Sequence, residues 1–458
     1  MILNREKEIA RIGQALKSSS PQLIVVYGRR RCGKSTLLQH MMPDDAIYFS
    51  ADLRDAPLQR DALAREIESL IPGFSRAVYP DWESLFLGLN TGLKKRTVLC
   101  IDEFPYLVKN CPELPSVLQK LLDASQNTNY HLILCGSSQQ MMHSMVLDKS
   151  SPLYGRSDEI IRVKPMNVSY LQKFLSISAI ETIEEYGVWG GVPRYWEIRK
   201  RAGSFGAAVK KNILDQHGLL YEEPERLFAD EMRTSVQASS VLSLIGLGVH
   251  RISEIAGRMQ KPATHISGLL SFLTKQGYIR REIPYGESEK TSKKSLYKIE
   301  DPFMNFYFTF LLPNKSRLEY DMIDQVWQEI TERYDQYISF MWEDLCRKTI
   351  PQIVIAEKSF NPASRWWGAG RDKKPIEVDI VASSTDHSSL LIGEVKWTEK
   401  ADVHALMASL ESKIAALPFA GGKTIVKALF LKRKPTVPTP GFRILTPADV
   451  IDTRHHHD

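Results

Sequence analysis

The sequence predicts an α/β protein with a parallel sheet in its N-terminal part and a second α/β domain in its C-terminal part. The parallel sheet is predicted from a glycine-rich turn after the apolar run 23–27 and from two more apolar runs, at 97–101 and 131–135. Uninterrupted apolar runs are typical of strands that are buried on both faces of a parallel sheet. The second domain is predicted from the alternation of apolar and charged residues over 376–381, which is typical of a half-buried strand.

Length and composition predict several globular domains. The 458 residues are too many for one hydrophobic core, and about three domains are expected. The net charge of +6 and the isoelectric point near 8.8 are compatible with a nucleic-acid partner but do not indicate one. Changes in sequence pattern place the predicted segments at 1–165, 166–235, 236–320 and 325–452, and the histidine-containing end, 453–458, is expected to be a tail or tag.

Cysteine use and hydropathy predict the compartment. The five cysteines, at positions 32, 100, 111, 135 and 346, are scattered and contain no C-x-x-C pair. Such a set argues against a disulfide framework or a zinc site and favours a reducing environment. Because no apolar run approaches the roughly 20 residues that span a bilayer, the sequence predicts a cytoplasmic protein without a membrane partner.

The segment from Gly28 to Ser35 has the spacing G-x-x-x-x-G-K-S between an apolar run and a predicted helix. A phosphate-binding loop needs this context, because its backbone N–H groups and the helix N-terminus both face a polyphosphate. Lys34 is expected to reach the β- and γ-phosphates of ATP, and the Ser35 hydroxyl to ligate Mg²⁺. A chance glycine-rich turn is the alternative. The predicted ATP-binding residues of the loop are Gly28, Arg29, Arg30, Arg31, Cys32, Gly33, Lys34, Ser35 and Thr36.

An acidic pair, Asp102 and Glu103, ends the apolar run that begins at position 97. A strand that ends in two acids, downstream of a phosphate loop, predicts the hydrolytic half of an ATPase site. Asp102 is expected to hold Mg²⁺ together with Ser35, and Glu103 to polarise the attacking water.

Five short segments together resemble the archaeal-type P-loop ATPases, close to the AAA+ and signal-transducing (STAND) groups. They are the Asn-Arg-Glu start at 4–6, the phosphate loop, the Asp-Glu strand end, the Gly-Ser-Ser strand end at 136–138 and the Leu-Tyr-Gly-Arg turn at 153–156. The resemblance implies an AAA+-like ATPase domain over 1–165, a helical lid over 166–235, and a sensor of the γ-phosphate at Ser137 or Ser138. A helix N-cap is the alternative role for either serine.

Two more residues are expected to act near a nucleotide. Arg156, in the turn after the sensor strand, is predicted to be an arginine finger that serves a neighbouring subunit, and an ordinary surface arginine is the alternative. Pro193 follows a glycine pair, and the resemblance implies that this lid turn approaches the nucleotide; a plain helix–helix turn is the alternative. The N-terminal helix either packs near the adenine, as the resemblance implies, or is a capped surface helix.

Residues 236–320 have the pattern of a winged helix-turn-helix. A short helix at 251–256, a turn at 262–264 and an amphipathic helix at 265–275 precede two strands, 278–281 and 295–298. Double-stranded DNA is the predicted partner, and a winged helix that only packs or contacts protein is the alternative. The basic residues expected to be available for phosphates are Lys261, Arg280, Arg281, Lys290, Lys293 and Lys294.

A second set of acids lies in the C-terminal domain. Asp379 lies on the predicted strand 376–381, and Glu394 and Lys396 share one face of the strand 390–397, because residues two apart in a strand point the same way. With Glu343 on a predicted helix, this order resembles the PD-(D/E)xK nuclease fold, although Val378 replaces its usual proline. Glu343, Asp379 and Glu394 are expected to hold Mg²⁺, and Lys396 to position or activate water. A salt-bridged hairpin is the alternative.

These interpretations combine into one predicted function. The chain is expected to bind and hydrolyse ATP, to use Mg²⁺, to bind double-stranded DNA, to form homo-oligomers with ATP, and to carry a nuclease domain over 325–452. One alternative is an ATP-controlled regulatory or defence switch whose tail is a non-catalytic module that binds DNA or protein. Another is an ATPase that acts on a protein partner, with the winged helix as the protein contact.

Overall fold

The structure, a computed structural model, describes residues 5–124, 128–231 and 235–452. Within them the chain divides into two compact units. The N-terminal unit consists of the described residues up to Met166, the segment Val192–Arg194 and a short segment that begins at Ala229, and the C-terminal unit contains the remainder. The predicted terminal tail, 453–458, lies outside the described residues. No helix in the described ranges is both long and apolar enough to cross a bilayer.

The N-terminal unit is built on a five-stranded parallel sheet in the order β2-β3-β4-β1-β5. Its strands are β1 (Leu23–Tyr27), β2 (Ile47–Ser50), β3 (Thr97–Asp102), β4 (Tyr130–Gly136) and β5 (Glu159–Arg162). Its helices are α1 (Glu6–Leu16), α2 (Lys34–Met41), α3 (Ala56–Ile67), α4 (Trp82–Gly92), α5 (Phe104–Asn110), α6 (Leu114–Asp123) and α7 (Gln139–Met142). The central strands β3 and β4 are buried along their whole length, as their uninterrupted apolar sequences predict.

The segment that follows β5 is helical, as the sequence predicts. Its helices are α8 (Val168–Leu175), α9 (Ala179–Trp189), α10 (Pro193–Lys200), α11 (Phe205–Val209) and α12 (Glu223–Glu231). α9 ends at Gly190, whose φ of 57° is a backbone conformation that favours glycine. The next helix begins with Pro193, the position in a helix where proline costs least.

Three helices and an antiparallel hairpin follow, and the last two helices and both strands lie in the order that the sequence predicts. They are α13 (Ser235–Gly246), α14 (Ile252–Met259), α15 (Ala263–Gln276), β6 (Ile279–Glu282) and β7 (Leu296–Ile299). Gly277 ends α15 with a φ of 80°. The aromatic residues that follow the hairpin are buried and form part of the core. They are Phe303, Phe306, Tyr307, Phe308 and Phe310.

The chain ends in a second five-stranded sheet in the order β12-β11-β10-β9-β8. Its strands are β8 (Ser364–Ala369), β9 (Pro375–Ser383), β10 (Ser389–Lys396), β11 (Thr424–Leu431) and β12 (Phe442–Leu445). The helices that precede the sheet are α16 (Pro302–Phe306), α17 (Lys315–Glu319) and α18 (Ile323–Thr349). Two further helices are α19 (Val403–Ala416), between β10 and β11, and α20 (Pro447–Ile451), after β12. β8, β9 and β10 are antiparallel, whereas β11 and β12 run parallel to β10. The three helices and hairpin described above belong to the same compact unit as this sheet.

Candidate nucleotide site and a second acidic site

The glycine-rich loop connects the end of β1 to the start of α2. Gly28 has a φ of 154°, and a Cβ added there would lie 2.2 Å from the carbonyl oxygen of Val163. Any larger residue at position 28 would therefore push the loop away from the backbone beside it. Gly33, with a φ of 87°, precedes the first residue of α2 and adopts the left-handed conformation. The two glycines of the motif are thus required by the backbone of the loop itself.

Lys34 is buried in the first turn of α2, and its ammonium group points back into the loop. Its Nζ donates hydrogen bonds to the carbonyl oxygens of Gly28, at 2.9 Å, and Arg29, at 3.2 Å. Phosphate oxygens are hydrogen-bond acceptors like these carbonyls. A buried amine at a helix N-terminus that follows a glycine loop fits a polyphosphate group.

Arg5 is a contributor to this loop that the sequence analysis does not identify. Its guanidinium group is buried and donates to the carbonyl oxygens of Cys32, at 3.0 Å, and Lys164, at 2.7 Å. It also pairs with Glu8 at 3.1 Å. Arg5 therefore holds the end of the phosphate loop, which favours a role of the N-terminal helix at the nucleotide site over a capped surface helix.

Asp102, at the end of β3, lies beside the start of α2. Its Oδ2 accepts hydrogen bonds from Ser35 Oγ, at 2.6 Å, and from the Tyr48 hydroxyl, at 2.5 Å. Burial raises the pKa of Asp102, but hydrogen bonds from Cys135, Ser35, Tyr48 and the backbone outweigh it and hold the pKa below its ordinary value. The two predicted magnesium ligands, Ser35 and Asp102, are therefore adjacent, and the acid is ionised at neutral pH.

Glu103 and Ser137 meet on the same edge of the sheet. Glu103 has a φ of 54°, an unusual value for a non-glycine residue that often marks a functional position. Its Oε2 accepts from Ser137 Oγ at 2.9 Å and from the Ser137 amide at 3.3 Å. Ser138 instead caps α7, accepting from the amide of Met141. Because β4 lies between β1 and β3, Ser137 stands between the phosphate loop and the acidic pair, and of the two serines it is the one that contacts Glu103.

Arg156 lies at the opposite edge of the sheet from the phosphate loop. It precedes β5, whose first residue, Glu159, pairs with Ile24 near the start of β1. Its guanidinium group forms a bidentate pair with Asp123, at 2.7 and 2.9 Å, and donates to the carbonyl of Pro152. Arg156 therefore cannot reach the nucleotide of its own chain, and a catalytic role would have to serve another copy. Pro193, the other predicted contact, belongs to a segment that groups with the N-terminal unit.

In the C-terminal sheet, Asp379 and Glu394 occupy opposite positions on neighbouring antiparallel strands. Regular pairing of β9 and β10 extends to Ile380 and Gly393. The next pair in this register is Asp379 and Glu394, whose side chains share a face. At this point Asp379 Oδ2 accepts from the amide of Val395 at 3.0 Å. Both carboxylates are buried, and burial together with the charge of Asp379 raises the pKa of Glu394.

The Glu394 carboxylate has one paired and one unpaired oxygen. Lys413, on α19, donates to Oε2 at 2.6 Å, whereas Oε1 is buried and has no hydrogen-bond partner in the described part of the chain. An orphaned carboxylate oxygen next to a second acid fits a divalent cation. However, no group of three or more His, Cys, Asp or Glu side chains within the described ranges is arranged to hold a metal ion. The fit therefore extends to Asp379 and Glu394 and not to a three-acid site.

Glu343, the predicted third acid, lies on α18 near an arginine. Arg347, one helical turn away, lies 3.7 Å from Glu343 and donates to the carbonyl oxygen of Asp379 at 3.1 Å. Burial and the charge of Asp379 raise the pKa of Glu343 to about 7. Lys396 is exposed and makes no hydrogen bond or ion pair with the described residues. The structure thus brings three acids to one region but leaves the predicted lysine at its rim.

The hairpin of β6 and β7 is held against α18 by charged side chains. Arg280 contacts Glu282, Glu300 and Asp344 at 3.0 to 3.1 Å, and its side chain is 22% exposed. Arg347 extends the network to Glu282 at 3.8 Å. The expectation that Arg280 is available for DNA phosphates is therefore wrong, because its charge is satisfied by acids on its own hairpin and on α18. Two other residues predicted to contact DNA already have partners within the hairpin. Lys294 forms an ion pair with Glu287, and Arg281 donates hydrogen bonds to loop carbonyls.

The first strand of the parallel sheet leads through a glycine loop to a buried lysine, and a serine and an aspartate that can hold Mg²⁺ lie beside it. This arrangement defines the class of P-loop ATPases. The family described as an ATPase domain predominantly from Archaea matches residues 2–197. A second family, described as archaeal and bacterial proteins of unknown function, matches residues 307–406. An uncharacterized protein of Methanocaldococcus jannaschii is 32% identical over 409 residues, which cover 88% of this chain and 89% of that protein. The chain belongs to the family of archaeal P-loop ATPases that these matches define.

Solved structures support the same fold. A Walker-type ATPase of Pyrococcus abyssi superposes with a TM-score of 0.53 at 24% identity, over 67% of this chain and 96% of that one. The ORC2 protein of Aeropyrum pernix is a weaker likeness, with a TM-score of 0.43 at 12% identity over 72% of this chain and 96% of that one. The first of these supports the α/β ATPase architecture.

Proposed function

We propose that this ATPase carries a second, metal-dependent activity in its C-terminal sheet, the hydrolysis of nucleic-acid phosphodiesters. The observation that carries the proposal is the opposed pair Asp379 and Glu394, buried where β9 and β10 stop pairing, with one carboxylate oxygen left without a partner. Buried charges are retained in proteins when they are paired or bind a cation. Two buried acids that share a single ion pair with a lysine do not stabilise the fold, so a cation-binding site explains their presence better than folding stability does.

In the N-terminal unit, each residue at the edge of the sheet has one proposed role. Lys34 holds the β- and γ-phosphates, while Ser35 and Asp102 hold the Mg²⁺ that accompanies ATP. Glu103 orients the water that attacks the γ-phosphorus, and Ser137, bonded to Glu103 at 2.9 Å, links that acid to the state of the γ-phosphate. Bound Mg²⁺ supplies charge neutralisation on the transferred phosphoryl group.

Hydrolysis is proposed to need a second copy of the chain, because Arg156 lies at the sheet edge away from its own phosphate loop. Glu103→Gln and Arg156→Ala are each expected to lower ATP turnover by about 100-fold or more. Glu103→Gln should keep ATP bound, since glutamine has the size of glutamate and the fold of the site is preserved. A mixture of the two variants should regain hydrolysis, because some interfaces then combine an intact Glu103 with an intact Arg156.

Turnover of the mixed sample, measured by phosphate release and compared with each variant alone, checks this expectation. Arg226→Ala, which removes an exposed arginine paired with Glu222, the residue before α12, is the control and should hydrolyse ATP as the unmodified protein does. Full activity of Arg156→Ala would refute the trans role. A monomer at every ATP concentration, seen by light scattering, would refute it as well.

The C-terminal acids are proposed to act on nucleic acid as follows. Asp379 and Glu394 hold the cation, and Glu343, whose pKa is raised by burial and by the charge of Asp379, lies beside them on α18. Hydrolysis adds one water across a phosphorus–oxygen bond and leaves a phosphate monoester and an alcohol. Bound Mg²⁺ supplies polarisation of the phosphoryl oxygen and acidification of that water. Double-stranded DNA is the proposed substrate, and the exposed polar face of α15, with Thr264, His265 and Ser267, is its proposed contact.

Incubation of supercoiled plasmid with the full chain and Mg²⁺ or Mn²⁺, with and without ATP, tests the nuclease. Asp379→Ala should abolish cleavage and divalent-cation binding at the C-terminal site, whereas ATP hydrolysis and its Mg²⁺ should survive because the residues of that site lie in the other unit. Asp386→Ala, a loop acid of the same sheet that is bonded to Ser384 and Ser388, is the matched control and should cut normally. Cleavage that persists in Asp379→Ala would come from a contaminant and would reject the proposal.

A second candidate function is supported by the ion pair between Lys413 and Glu394. In a switch without nuclease turnover, this lysine would stabilise a degenerate acidic site, and the C-terminal unit would only bind DNA or protein. Binding of duplex DNA that weakens steeply with salt, without cleavage under any metal condition, would favour this alternative.

A further inference from the structure

The acidic site contains a lysine that the sequence order does not point to. Lys413 lies on α19, and its Nζ is 2.6 Å from Glu394 Oε2. Its side chain is 27% exposed, whereas that of Glu394 is 4% exposed. The ammonium group therefore sits at the border between the buried acid and solvent, where it can be replaced without unfolding the site.

Lys396, the lysine expected from the motif, has a different environment. It is the last residue of β10, it is exposed, and it makes no ion pair with the described residues. It shares a face with Glu394 because the two are two positions apart on one strand. Its charge lowers the pKa of Glu394, yet the contribution of Lys413 is larger.

The charges around the acid pair show why one lysine matters there. Arg347 is bonded to the carbonyl oxygen of Asp379 and lies near Glu343, so its charge is directed to the other side of the cluster. Lys413 is the cation in direct contact with the Glu394 carboxylate. Two buried carboxylates without a cation would repel each other.

We infer that Lys413, and not Lys396, is the lysine of the acidic site: its ammonium group neutralises Glu394 in the metal-free protein and gives way to a divalent cation when one binds. The inference rests on the proposed nuclease function for its setting, but the exchange itself is a property of the binding site. In the metal-free protein, Lys413 acts through its ion pair with Glu394. Once displaced, its ammonium group remains beside the cation, where it can stabilise negative charge on a phosphate.

Titration of the nucleotide-free full chain with Mn²⁺, followed by calorimetry at pH 8.5, tests the exchange. Lys413→Met removes the competing charge and is expected to bind Mn²⁺ at least about tenfold more tightly, because an opposite charge at this distance changes such an equilibrium by one to three powers of ten. Lys413→Arg keeps the charge and should bind as the unmodified protein does. Lys427→Met is the matched control, since Lys427 forms an ion pair of the same 2.6 Å length with the exposed Glu411.

Equal Mn²⁺ affinity in Lys413→Met and Lys427→Met would overturn the inference, as would the absence of Mn²⁺ binding to any variant. Thermal unfolding of each variant identifies a variant that is misfolded. If Lys413→Met is misfolded, the Mn²⁺ affinity of Lys413→Arg, compared with that of the unmodified protein, decides the inference. DNA cleavage separates the inference from the proposed function. If the unmodified chain cuts, Lys413→Met should lose about 100-fold and Lys396→Met less than about threefold; the reverse order would overturn the inference and keep the nuclease. If no variant cuts, the nuclease proposal fails while the Mn²⁺ result still stands.

Discussion

Replacing Lys34 by alanine is expected to weaken ATP binding by about 30-fold or more. Lys34 is buried, and its ammonium group already lies within the loop, bonded to the carbonyls of Gly28 and Arg29. Removing one member of a buried, hydrogen-bonded charge pair typically costs about 2–5 kcal/mol, and each 1.4 kcal/mol is about tenfold in affinity. The backbone N–H groups of the loop remain, so weak binding should persist at high ATP concentration.

Calorimetric titration with a non-hydrolysable ATP analogue and Mg²⁺ measures this change. Lys94→Ala, which removes an exposed lysine before the start of β3, should bind the analogue with unchanged affinity. Thermal unfolding should give similar midpoints for the two variants without nucleotide, and only the control should be stabilised by it. An unchanged affinity of Lys34→Ala would show that the glycine loop binds some other group.

Replacing Arg280 by methionine is expected to destabilise the C-terminal unit by about 2–4 kcal/mol, a range below that of a fully buried pair because the side chain is 22% exposed. Arg280 balances three acids, and its loss would leave Asp344 on α18 and Glu282 on the hairpin next to each other with fewer cations. The positive charge of Arg280 is the main reason that the pKa of Glu282 falls to about 2 despite burial. The hairpin would therefore be the first element to detach from α18.

Urea denaturation, followed by tryptophan fluorescence, measures the loss. Arg226→Met is the matched control: its ion pair with Glu222 is more than half exposed on both sides, so it should cost less than about 0.5 kcal/mol. The double variant Arg280→Met with Asp344→Asn should recover part of the loss, because the uncompensated acid is gone. If Arg280→Met were as stable as the control, the network would not hold the hairpin in solution.

The ion pairs of Arg280 and its neighbours give the hairpin cations a structural role. By sequence pattern, 236–320 and 325–452 are separate segments, and the hairpin cations are expected to contact DNA. In the structure, Arg280 and Lys298 both contact Glu282, and Arg280 and Lys348 both contact Asp344. DNA contacts from this region are therefore expected from α15 and not from the strands of the hairpin.

Much of the nucleotide site could be predicted from the sequence. The spacing from Gly28 to Ser35 specifies a loop because glycine conformations and a helix N-terminus are local properties. The buried strands β3 and β4 follow from uninterrupted apolar runs, and the period of a strand places Glu394 and Lys396 on one face. That Asp379 stands opposite Glu394 follows only from the register of β9 and β10 in the structure. Short edge strands such as β2 and β5 are not predicted, since four residues carry little pattern.

The tertiary structure decides which side chains complete each site. Arg5 reaches the carbonyl of Lys164, and Tyr48 reaches Asp102, across 159 and 54 positions of the chain. No local pattern encodes such contacts, because they depend on strand order and on the packing of α1. The same reason separates Lys413 from Lys396: sequence spacing ties Lys396 to Glu394, whereas the packing of α19 on the sheet delivers Lys413 to it. Periodicity thus determined the elements and the acidic positions, and only the folded arrangement of distant segments determined their charge partners.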